Sequence, residues 1–469
     1  MENTRMVAGG DTVAGVSQEL KGRPAQLQWS GRLTFILAAT GSAVGLGNIW
    51  KFPYITGEHG GGAFVLVYLA CILVIGLPLL MAEVMIGRRG KQNPANSMAN
   101  LAREFKVSRH WRLLGWLGVV SGFLILSFYT VVAGWAISYI FISAQGVFDG
   151  ASGEQVGAHF GQLLADPWAL IFWGTLVLMI TLLVVARGVK QGLEKAVNAM
   201  MPGLFVLLLV LVGYAMTTGY FMQGLNFLFN PDFSKLSGTS ILVALGHAFF
   251  TLSIAGGGMM TYGSYLPQKV SIAKTAITIG ILDTLVALLA GMVIFPLVFA
   301  NGLEPGSGPG LLFVTLPIAF GQMPFGGLFG MIFFIMLSVA ALTSAISLIE
   351  PAVAWMTERY RISRFKACLG SGLVMWVLSL GTVFSFNIWE RHTLFGKTFF
   401  GVLDYLTSGW FLPLGGLFIA IFAGRVMSRK ATEEELGKGL GYRLWYYTIR
   451  YVSPVAIVVM FLNAIGVIG

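Results

Sequence analysis

The chain has 469 residues, of which 56% are hydrophobic and only 11% are charged, and its formal net charge is +10. Soluble domains carry about 25% charged residues, so this composition excludes a soluble protein and predicts an all-α polytopic membrane protein. The basic residues lie in short segments between apolar runs rather than in one polar region, which argues against a nucleic-acid partner. Cys71 and Cys368 lie in separate apolar runs and form no disulfide framework or metal-binding pattern.

Eleven apolar runs are each long enough to cross a bilayer as a helix, which takes about 20 residues. We number them spans 1 to 11, and they cover residues 33–57, 63–87, 113–146, 167–186, 196–219, 239–266, 272–300, 325–356, 367–386, 398–424 and 444–468. Residues 1–28 are polar and lack the apolar core of a signal peptide. They are predicted to form a cytoplasmic N-terminal tail, followed by a single transmembrane domain over residues 29–469.

Lysine and arginine follow the even-numbered spans, in segments 88–91, 187–195, 269–274, 359–366 and 425–438. Because basic loops remain in the cytoplasm, this pattern places the N-terminus inside and the C-terminus outside. Segments 147–166 and 301–324 are poor in Lys and Arg and are predicted to be outward loops. The chain has no N-x-S/T glycosylation sequon, which fits the plasma membrane of a prokaryotic cell.

Span 1 is interrupted at its middle by Gly41, Gly45, Gly47 and Pro53, with the polar Asn48 among them. Glycine weakens a helix, and a membrane core offers no water to satisfy the freed backbone groups. Such a break is tolerated where the backbone lines a cavity or binds an ion. Taken alone, span 1 could also be a kinked, glycine-packed helix.

Span 6 has a second break, with three consecutive glycines at 256–258. It lies five spans after the first, and an odd separation reverses the topology. Residues 29–219 and 239–424 are therefore predicted to be inverted five-helix repeats with discontinuous helices 1 and 6, and residues 440–469 to hold the eleventh span. Matching breaks in two halves point to the midplane binding site of a transporter.

Six motifs along the chain resemble the sodium:neurotransmitter symporter family. They are G-S-A-V-G-L-G-N-I-W-K-F-P at 41–53, E-H-G-G-G-A-F at 58–64, P-L-L-M-A-E-V-M-I-G-R at 78–88, S-F-Y-T-V-V-A-G-W at 127–135, F-F-T-L-S at 249–253 and A-L-T-S-A-I-S at 341–347. The resemblance runs from Trp29 to the end of the chain and implies sodium-coupled uptake of an amino acid by alternating access. The family usually has twelve spans, and the oligomeric state is left open.

The resemblance implies a sodium site between spans 1 and 8, which we call the second sodium site. Its ligands would be the carbonyls of Gly41, Val44 and Ala340 and the hydroxyls of Thr343 and Ser344. Five oxygens without a formal charge suit a monovalent ion better than Ca²⁺, which takes carboxylates. Alternatively, the two hydroxyls bond to carbonyls of their own helix, as is common in membrane helices.

The resemblance also implies a first sodium site, formed by the Ala43 carbonyl, the Asn48 side chain, Thr251 and Asp283 and closed by the substrate carboxylate. The family usually has Asn where this chain has Asp283. A carboxylate inside a membrane span is costly and is a functional candidate by default. The alternative is an ion pair with a basic group, but Lys274 lies more than two turns away.

Three further residues, His247, Ala287 and Glu83, are candidates for proton binding, for chloride independence and for supporting the break in span 6. His247 stands where the family usually has Gln, and it is either an ordinary hydrogen-bonded histidine or a proton-responsive partner of Asp283. Ala287 stands where chloride-dependent relatives have a serine that helps to hold the anion. No chloride requirement is therefore expected beside the two sodium ions. Glu83 is expected to brace the unwound part of span 6 through backbone amides.

The implied substrate pocket uses exposed backbone groups at both breaks, where the half-helix beginning near Leu46 and Gly47 offers a positive dipole end to a carboxylate. Its residues would be Ala43, Leu46, Gly47, Ile125, Tyr129, Phe250, Thr251, Ser253, Ala255, Gly256, Ser344 and Leu348. Gly256 replaces the phenylalanine of the leucine-selective pattern, which predicts a large hydrophobic L-amino acid, aromatic ones favoured. If Leu348 or Ile125 fills that space, the pocket is leucine-sized. Small neutral amino acids are a separate alternative for the substrate class.

The resemblance implies gates on both sides of this pocket. Tyr129 and Phe250 would form the outer lid, with Lys51 and Asp404 as an outer charged gate. Lysine offers one flexible point charge where the family commonly has the bidentate arginine.

On the cytoplasmic side, Trp29 and Glu358 match gate positions of the family. Gln26 replaces the family's arginine three residues before that tryptophan, which puts the usual intracellular ion pair in doubt.

Enzymes and channels are the function classes that compete with a transporter. An intramembrane redox enzyme needs haem or metal ligands, yet of the five histidines only His247 lies deep in a span. No paired aspartates or Ser-His arrangement at matching depth indicates an intramembrane protease. A channel would need a filter loop such as T-V-G-Y-G, which the sequence lacks.

Overall fold

The computed structural model describes residues 28–305 and 308–467, and within these ranges the regular structure is helical. The β-type pairing described there is an isolated bridge between Leu394 and Lys397. Gln26 and nearly all of the predicted N-terminal tail lie outside the described residues. The boundaries predicted for the two repeats therefore stay a prediction from the sequence.

Within the described ranges, nine helices are long and apolar enough to cross a membrane. They are Gly62–Gly90, Arg109–Ala144, Pro167–Ala186, Val189–Met216, Ile272–Ala300, Gly326–Tyr360, Arg364–Phe384, Phe399–Val426 and Leu440–Ala464, and they correspond to spans 2–5 and 7–11. Span 1 is a pair of helices, Arg32–Ala43 and Gly47–Glu58, bent by 51°. Span 6 consists of the shorter helices Gly238–Thr251 and Gly258–Ser264. This arrangement is compatible with eleven spans and confirms the two discontinuous helices.

Five shorter α-helices of the described residues lie outside the spans: Pro94–Glu104, Gly153–Ala165, Phe221–Phe229, Thr315–Gly321 and Arg429–Leu436. Two of them lie in segments 147–166 and 301–324, so each of these predicted outward loops contains a helix. Gly153–Ala165 starts with a reciprocal capping box between Ser152 and Gln155 and buries Val156. Thr315–Gly321 buries most of its side chains, so packing stabilises a helix too short to form alone.

Several spans contain a widened π-type turn. These turns cover Gly47–Lys51, Ile72–Gly76, Val189–Glu194, Tyr405–Phe411, Phe422–Val426 and Thr448–Val452. A π-bulge shifts the side chains that follow it around the helix and often occurs at functional sites. The first widened turn opens the outer half of span 1, directly after the break.

Span 8 lies at the centre of the bundle, where it packs against spans 1, 3 and 5. Glycine permits the closest approaches around the breaks. A Cβ added at Gly122 of span 3 would lie 2.6 Å from the carbonyl oxygen of Gly256. Large apolar side chains such as Phe172, Leu183 and Leu373 are exposed on the outside of the bundle, as expected for a surface that faces lipid.

Candidate functional site

The break in span 1 exposes backbone groups at the centre of the protein. Helix Arg32–Ala43 ends where Val44 takes an extended conformation, and the chain becomes helical again from Gly47. A Cβ added at Gly45 would lie 2.5 Å from the Ser344 hydroxyl and 2.8 Å from the Tyr129 hydroxyl. Only glycine therefore fits between these two polar side chains.

The break in span 6 covers residues 252–257, where Ser253, Ala255 and Gly257 have positive φ angles of 51°, 65° and 76°. Left-handed backbone at non-glycine residues is strained and clusters at functional sites. The buried carboxylate of Glu83 accepts a hydrogen bond of 2.8 Å from the Ala255 amide. The expected brace between span 2 and the unwound part of span 6 is therefore present.

Oxygen atoms are crowded around the Ser344 hydroxyl at the predicted second sodium site. Its Oγ lies 3.4 Å from the carbonyl oxygen of Gly41, 3.2 Å from that of Val44 and 3.3 Å from that of Ala340. One hydroxyl proton can satisfy one of these acceptors at a time, so the set has more lone pairs than donors. Such a set fits a small cation.

Thr343 is oriented differently from its neighbour. Its hydroxyl donates to the carbonyls of Ala340 at 2.9 Å and Val339 at 3.3 Å, both within span 8. This is the back-bonding arrangement considered as the alternative from the sequence. The side chain still borders span 1, because a Cβ added at Gly41 would lie 3.2 Å from the Thr343 Cβ.

At the predicted first sodium site, three side chains from spans 1, 6 and 7 meet. Asn48 Nδ2 donates to the Asp283 carboxylate at 2.8 Å and to its main-chain carbonyl at 3.0 Å. Thr251 donates to the same carboxylate at 3.0 Å. Asp283 is completely buried, and within the described residues it forms no ion pair with a basic side chain, including Lys274. A bound cation would balance this buried charge.

A central cavity lies between the two breaks and next to both oxygen sets. It is lined by Ser42, Ala43, Gly45, Leu46, Gly47, Ile125, Tyr129, Phe249, Phe250, Ser253, Ile254, Gly256, Gly258, Ser344, Ser347, Leu348 and Leu412. Two of the predicted pocket residues are absent from this wall. Thr251 faces Asp283, and the Ala255 side chain points at Gly415 of span 10.

The cavity wall also contains residues that the sequence interpretation missed. The Ser42 hydroxyl donates to that of Ser347 at 2.7 Å, and the Ser253 hydroxyl donates to the Ser42 carbonyl at 2.7 Å. Ser347 could have been found, because it follows Ser344 by three residues and therefore shares its helix face. Leu412, which follows the widened turn of span 10, carries no comparable signal in the sequence.

An outer cavity of about 200 Å³ lies beyond Leu46, Tyr129 and Phe250, which line both cavities. Tyr129 and Phe250 thus lie where the lid was predicted. Lys51 and Asp404 both line the outer cavity, but within the described residues they form no direct ion pair. The predicted charged gate is therefore not closed by direct contact here.

Lys51 and Asp404 have other partners in this conformation. The Lys51 ammonium lies 4.7 Å from the centre of the Phe250 ring, and Asp404 accepts a hydrogen bond from Ser408. The single flexible ammonium of a lysine can contact either an aromatic face or a carboxylate.

On the opposite side, the first residues of span 1 are held against span 6. Trp29 is buried, and its indole nitrogen donates to the Tyr262 carbonyl at 3.0 Å. Glu358 accepts hydrogen bonds from the backbone and side chain of Asn93, at 3.1 Å and 2.5 Å. Both predicted inner-gate residues thus have structural contacts, but the described contacts do not join them to each other.

A second inner cluster was missed from the sequence. Glu350 is completely buried in span 8 and forms a bidentate ion pair with Arg364, at 2.5 Å and 3.0 Å. Tyr265, just after the broken span 6, donates to the same carboxylate at 2.7 Å. A carboxylate in the middle of an apolar span is itself a signal, and Glu350 could have been singled out on that ground.

Comparison with known proteins agrees with this geometry. The model of the sodium:neurotransmitter symporter family matches residues 26–156 and 152–468. The chain belongs to this family. This symporter is 40% identical to the sodium-dependent transporter YhdH of Bacillus subtilis, over 94% of this chain and 98% of that one. It is 34% identical to a sodium-dependent transporter of Haemophilus influenzae, over 93% and 97%.

Among solved structures, the symporter is similar to MhsT in complex with L-phenylalanine. The sequence identity is 43%, the TM-score is 0.86, and the match covers 94% of this chain and 100% of that chain. Since members of the family are transporters, the competing enzyme classes do not apply.

Proposed function

We propose that this symporter couples the entry of two sodium ions to uptake of a large hydrophobic L-amino acid by alternating access. The observation that carries the proposal is the central cavity, which lies between two broken helices and next to two sets of crowded oxygen atoms. The N-terminus would be cytoplasmic, the C-terminus outside, and the membrane that of a prokaryotic cell. The relatives named above, which come from bacteria, support the last point.

The two ions would bind at different electrostatic sites. The second sodium site would use Ser344, Thr343 and the carbonyls of Gly41, Val44 and Ala340, without a formal charge. The first would use Asp283, Asn48, Thr251 and the Ala43 carbonyl, together with the substrate carboxylate. Because this second carboxylate would join Asp283 only when substrate binds, the ion and the amino acid would favour each other's binding.

The substrate main chain would bind at the two breaks. Leu46 and Gly47 would present backbone amides to its carboxylate, and the Tyr129 hydroxyl, 3.4 Å from the Leu46 nitrogen, would join them. Carbonyls of the unwound part of span 6 would accept from its ammonium group. Tyr129 and Phe250 would then close the outer side, and Trp29 and Glu358 the inner side.

The side chain of the substrate would enter the space beside Gly256. A Cβ added there meets no atom closer than the Ser253 carbonyl oxygen at 3.9 Å, so the backbone leaves this side open. MhsT, whose solved complex contains L-phenylalanine, is a structural neighbour that supports an aromatic substrate.

A specific observation favours small neutral amino acids as the second candidate. The central cavity holds about 50 Å³ in this conformation, whereas ligand pockets usually measure about 300 Å³ or more. A large substrate would have to displace the side chains of Ile125, Leu348 or Phe250. Glycine or alanine would need no such movement.

The test is uptake of labelled amino acids into proteoliposomes, with either Na⁺ or choline outside. The proposal expects saturable uptake that requires Na⁺ and is inhibited best by tryptophan, phenylalanine or leucine. Uptake that is inhibited best by glycine or alanine would favour the second candidate. Uptake that is equal in choline would contradict sodium coupling, and flux that does not saturate would indicate a channel.

A further inference from the structure

Two arginines meet where spans 10 and 11 pack together, at the end of the bundle next to helix Arg429–Leu436. Arg425 lies on the widened turn Phe422–Val426 and Arg450 on the widened turn Thr448–Val452. Arg450 Nη1 donates to the carbonyl of Gly424 at 3.1 Å. A Cβ added at Gly424 would lie 3.0 Å from the Arg450 Cα, so glycine permits this close packing.

Tyrosine rings orient the Arg450 guanidinium. It lies 5.6 Å from the centre of the Tyr446 ring and 5.8 Å from that of Tyr451, and it donates to the Tyr446 hydroxyl at 2.5 Å. The guanidinium of Arg429 also lies near this ring, 5.7 Å from the centre of Tyr446. Cation–π contacts of this kind hold a guanidinium without neutralising it.

The charges of this cluster are only partly compensated. Arg429 pairs with Glu433 at 3.0 Å. In the part of the chain that the structure describes, neither Arg425 nor Arg450 forms an ion pair with a carboxylate. Arg450 is only partly buried and lies in the first half of helix Leu440–Ala464, from where its long side chain can reach the membrane interface. Two positive charges therefore remain available at the edge of the bilayer.

An apolar strip runs from this cluster along the outside of span 11. The exposed side chains at helical spacing are Tyr451, Val452, Val455, Val458 and Val459, with exposed fractions of 53%, 45%, 66%, 39% and 39%. Residues three and four positions apart on a helix share one face. The strip can therefore contact an acyl chain whose headgroup lies at the arginines.

We propose that Arg425 and Arg450 bind the phosphate of an anionic phospholipid whose acyl chain lies along this strip. Guanidinium groups match phosphate oxygens in a bidentate geometry, which suits a phosphate held between two helices. A zwitterionic headgroup would bring its own cation close to the arginines and would bind more weakly. Inorganic phosphate would leave the apolar strip uncovered. This inference does not depend on the identity of the transported substrate.

The experiment is native mass spectrometry of the full chain in detergent, titrated with phosphatidylglycerol or with phosphatidylcholine of the same acyl chains. We expect one phosphatidylglycerol to bind preferentially. One basic residue near a membrane contributes roughly a fivefold change in affinity, so the double variant Arg425→Gln with Arg450→Gln should bind about thirtyfold more weakly. The variant Arg109→Gln removes a charge from an exposed position outside the cluster and should bind as the wild type does.

Two further measurements protect the test from a folding artefact. Arg425→Gln alone removes an exposed side chain whose described contact is a long hydrogen bond to the Arg450 carbonyl, and it should weaken binding about fivefold. Inorganic phosphate in excess should displace the lipid poorly. Equal binding of the two lipids by the wild type would overturn the proposal, as would an equal loss in Arg109→Gln and in the double variant.

Discussion

Replacing Gly256 with phenylalanine should shift substrate preference from aromatic towards aliphatic amino acids. The backbone of Gly256 lines the central cavity, and a Cβ there would be in ordinary contact at 3.9 Å, so the new ring would occupy the cavity itself. Full burial of an aromatic side chain contributes about 1.5–3 kcal/mol. A substrate ring excluded from this space should therefore lose about tenfold to a hundredfold in affinity relative to leucine.

The assay is inhibition of labelled substrate uptake by tryptophan and by leucine in proteoliposomes, for wild type, Gly256→Phe and Gly256→Ala. The alanine variant adds only the Cβ that fits, so its ratio of tryptophan to leucine inhibition should change less than about threefold. An unchanged ratio in the phenylalanine variant would refute the reasoning and would mean that Leu348 or Ile125 already fills the space. A wild type that prefers glycine or alanine to tryptophan would refute it as well.

Three other variants test the ions and the inner side. Thr343→Ala combined with Ser344→Ala should abolish sodium-driven uptake, because the membrane interior cannot replace two lost ligands with water; undiminished uptake would rule out this site. Uptake should survive replacement of chloride by gluconate, since an anion about 4 Å from Asp283 would cost roughly 4 kcal/mol at an effective dielectric near 20. Asp283→Asn should slow uptake or make it sensitive to chloride. Wild-type uptake that stops in gluconate would contradict the expectation that transport needs no chloride. Glu350→Gln should lower the free energy of unfolding by about 3 kcal/mol, because the largely buried Arg364 loses its charged partner, and an unchanged thermal midpoint would contradict that reasoning.

The broken helices could be predicted from the sequence because glycine clusters have one clear physical meaning in an apolar span. At Gly45 the structure shows the reason directly, since any Cβ there would collide with two hydroxyls. The position of Asn48 next to Asp283 could be predicted only through the family motifs. These two residues are 235 positions apart, and no local pattern in the sequence brings them together.

The state of the gates could not be predicted from the sequence. Lys51 and Asp404, predicted as an outer charged gate, line one cavity, but whether they touch depends on the conformation of two flexible side chains. Ala255 was assigned to the pocket from its position beside Gly256, yet the left-handed backbone at 255 turns its side chain towards Gly415. Backbone angles inside an unwound segment follow from tertiary contacts such as the Glu83 brace, not from local propensity.

Two buried carboxylates, one in span 7 and one in span 8, differ in how the chain compensates their charge. The Glu350 carboxylate in span 8 accepts hydrogen bonds from two guanidinium nitrogens of Arg364, so the chain itself supplies its counter-charge. Asp283 in span 7 receives hydrogen bonds from the amide of Asn48 and the hydroxyl of Thr251, which are neutral donors. Burying a charge requires a partner of opposite sign, and at Asp283 the described residues leave that role to something from outside the chain. A sodium ion at the proposed first site would fill this role only while it is bound, and the stability of the closed cavity would then depend on sodium.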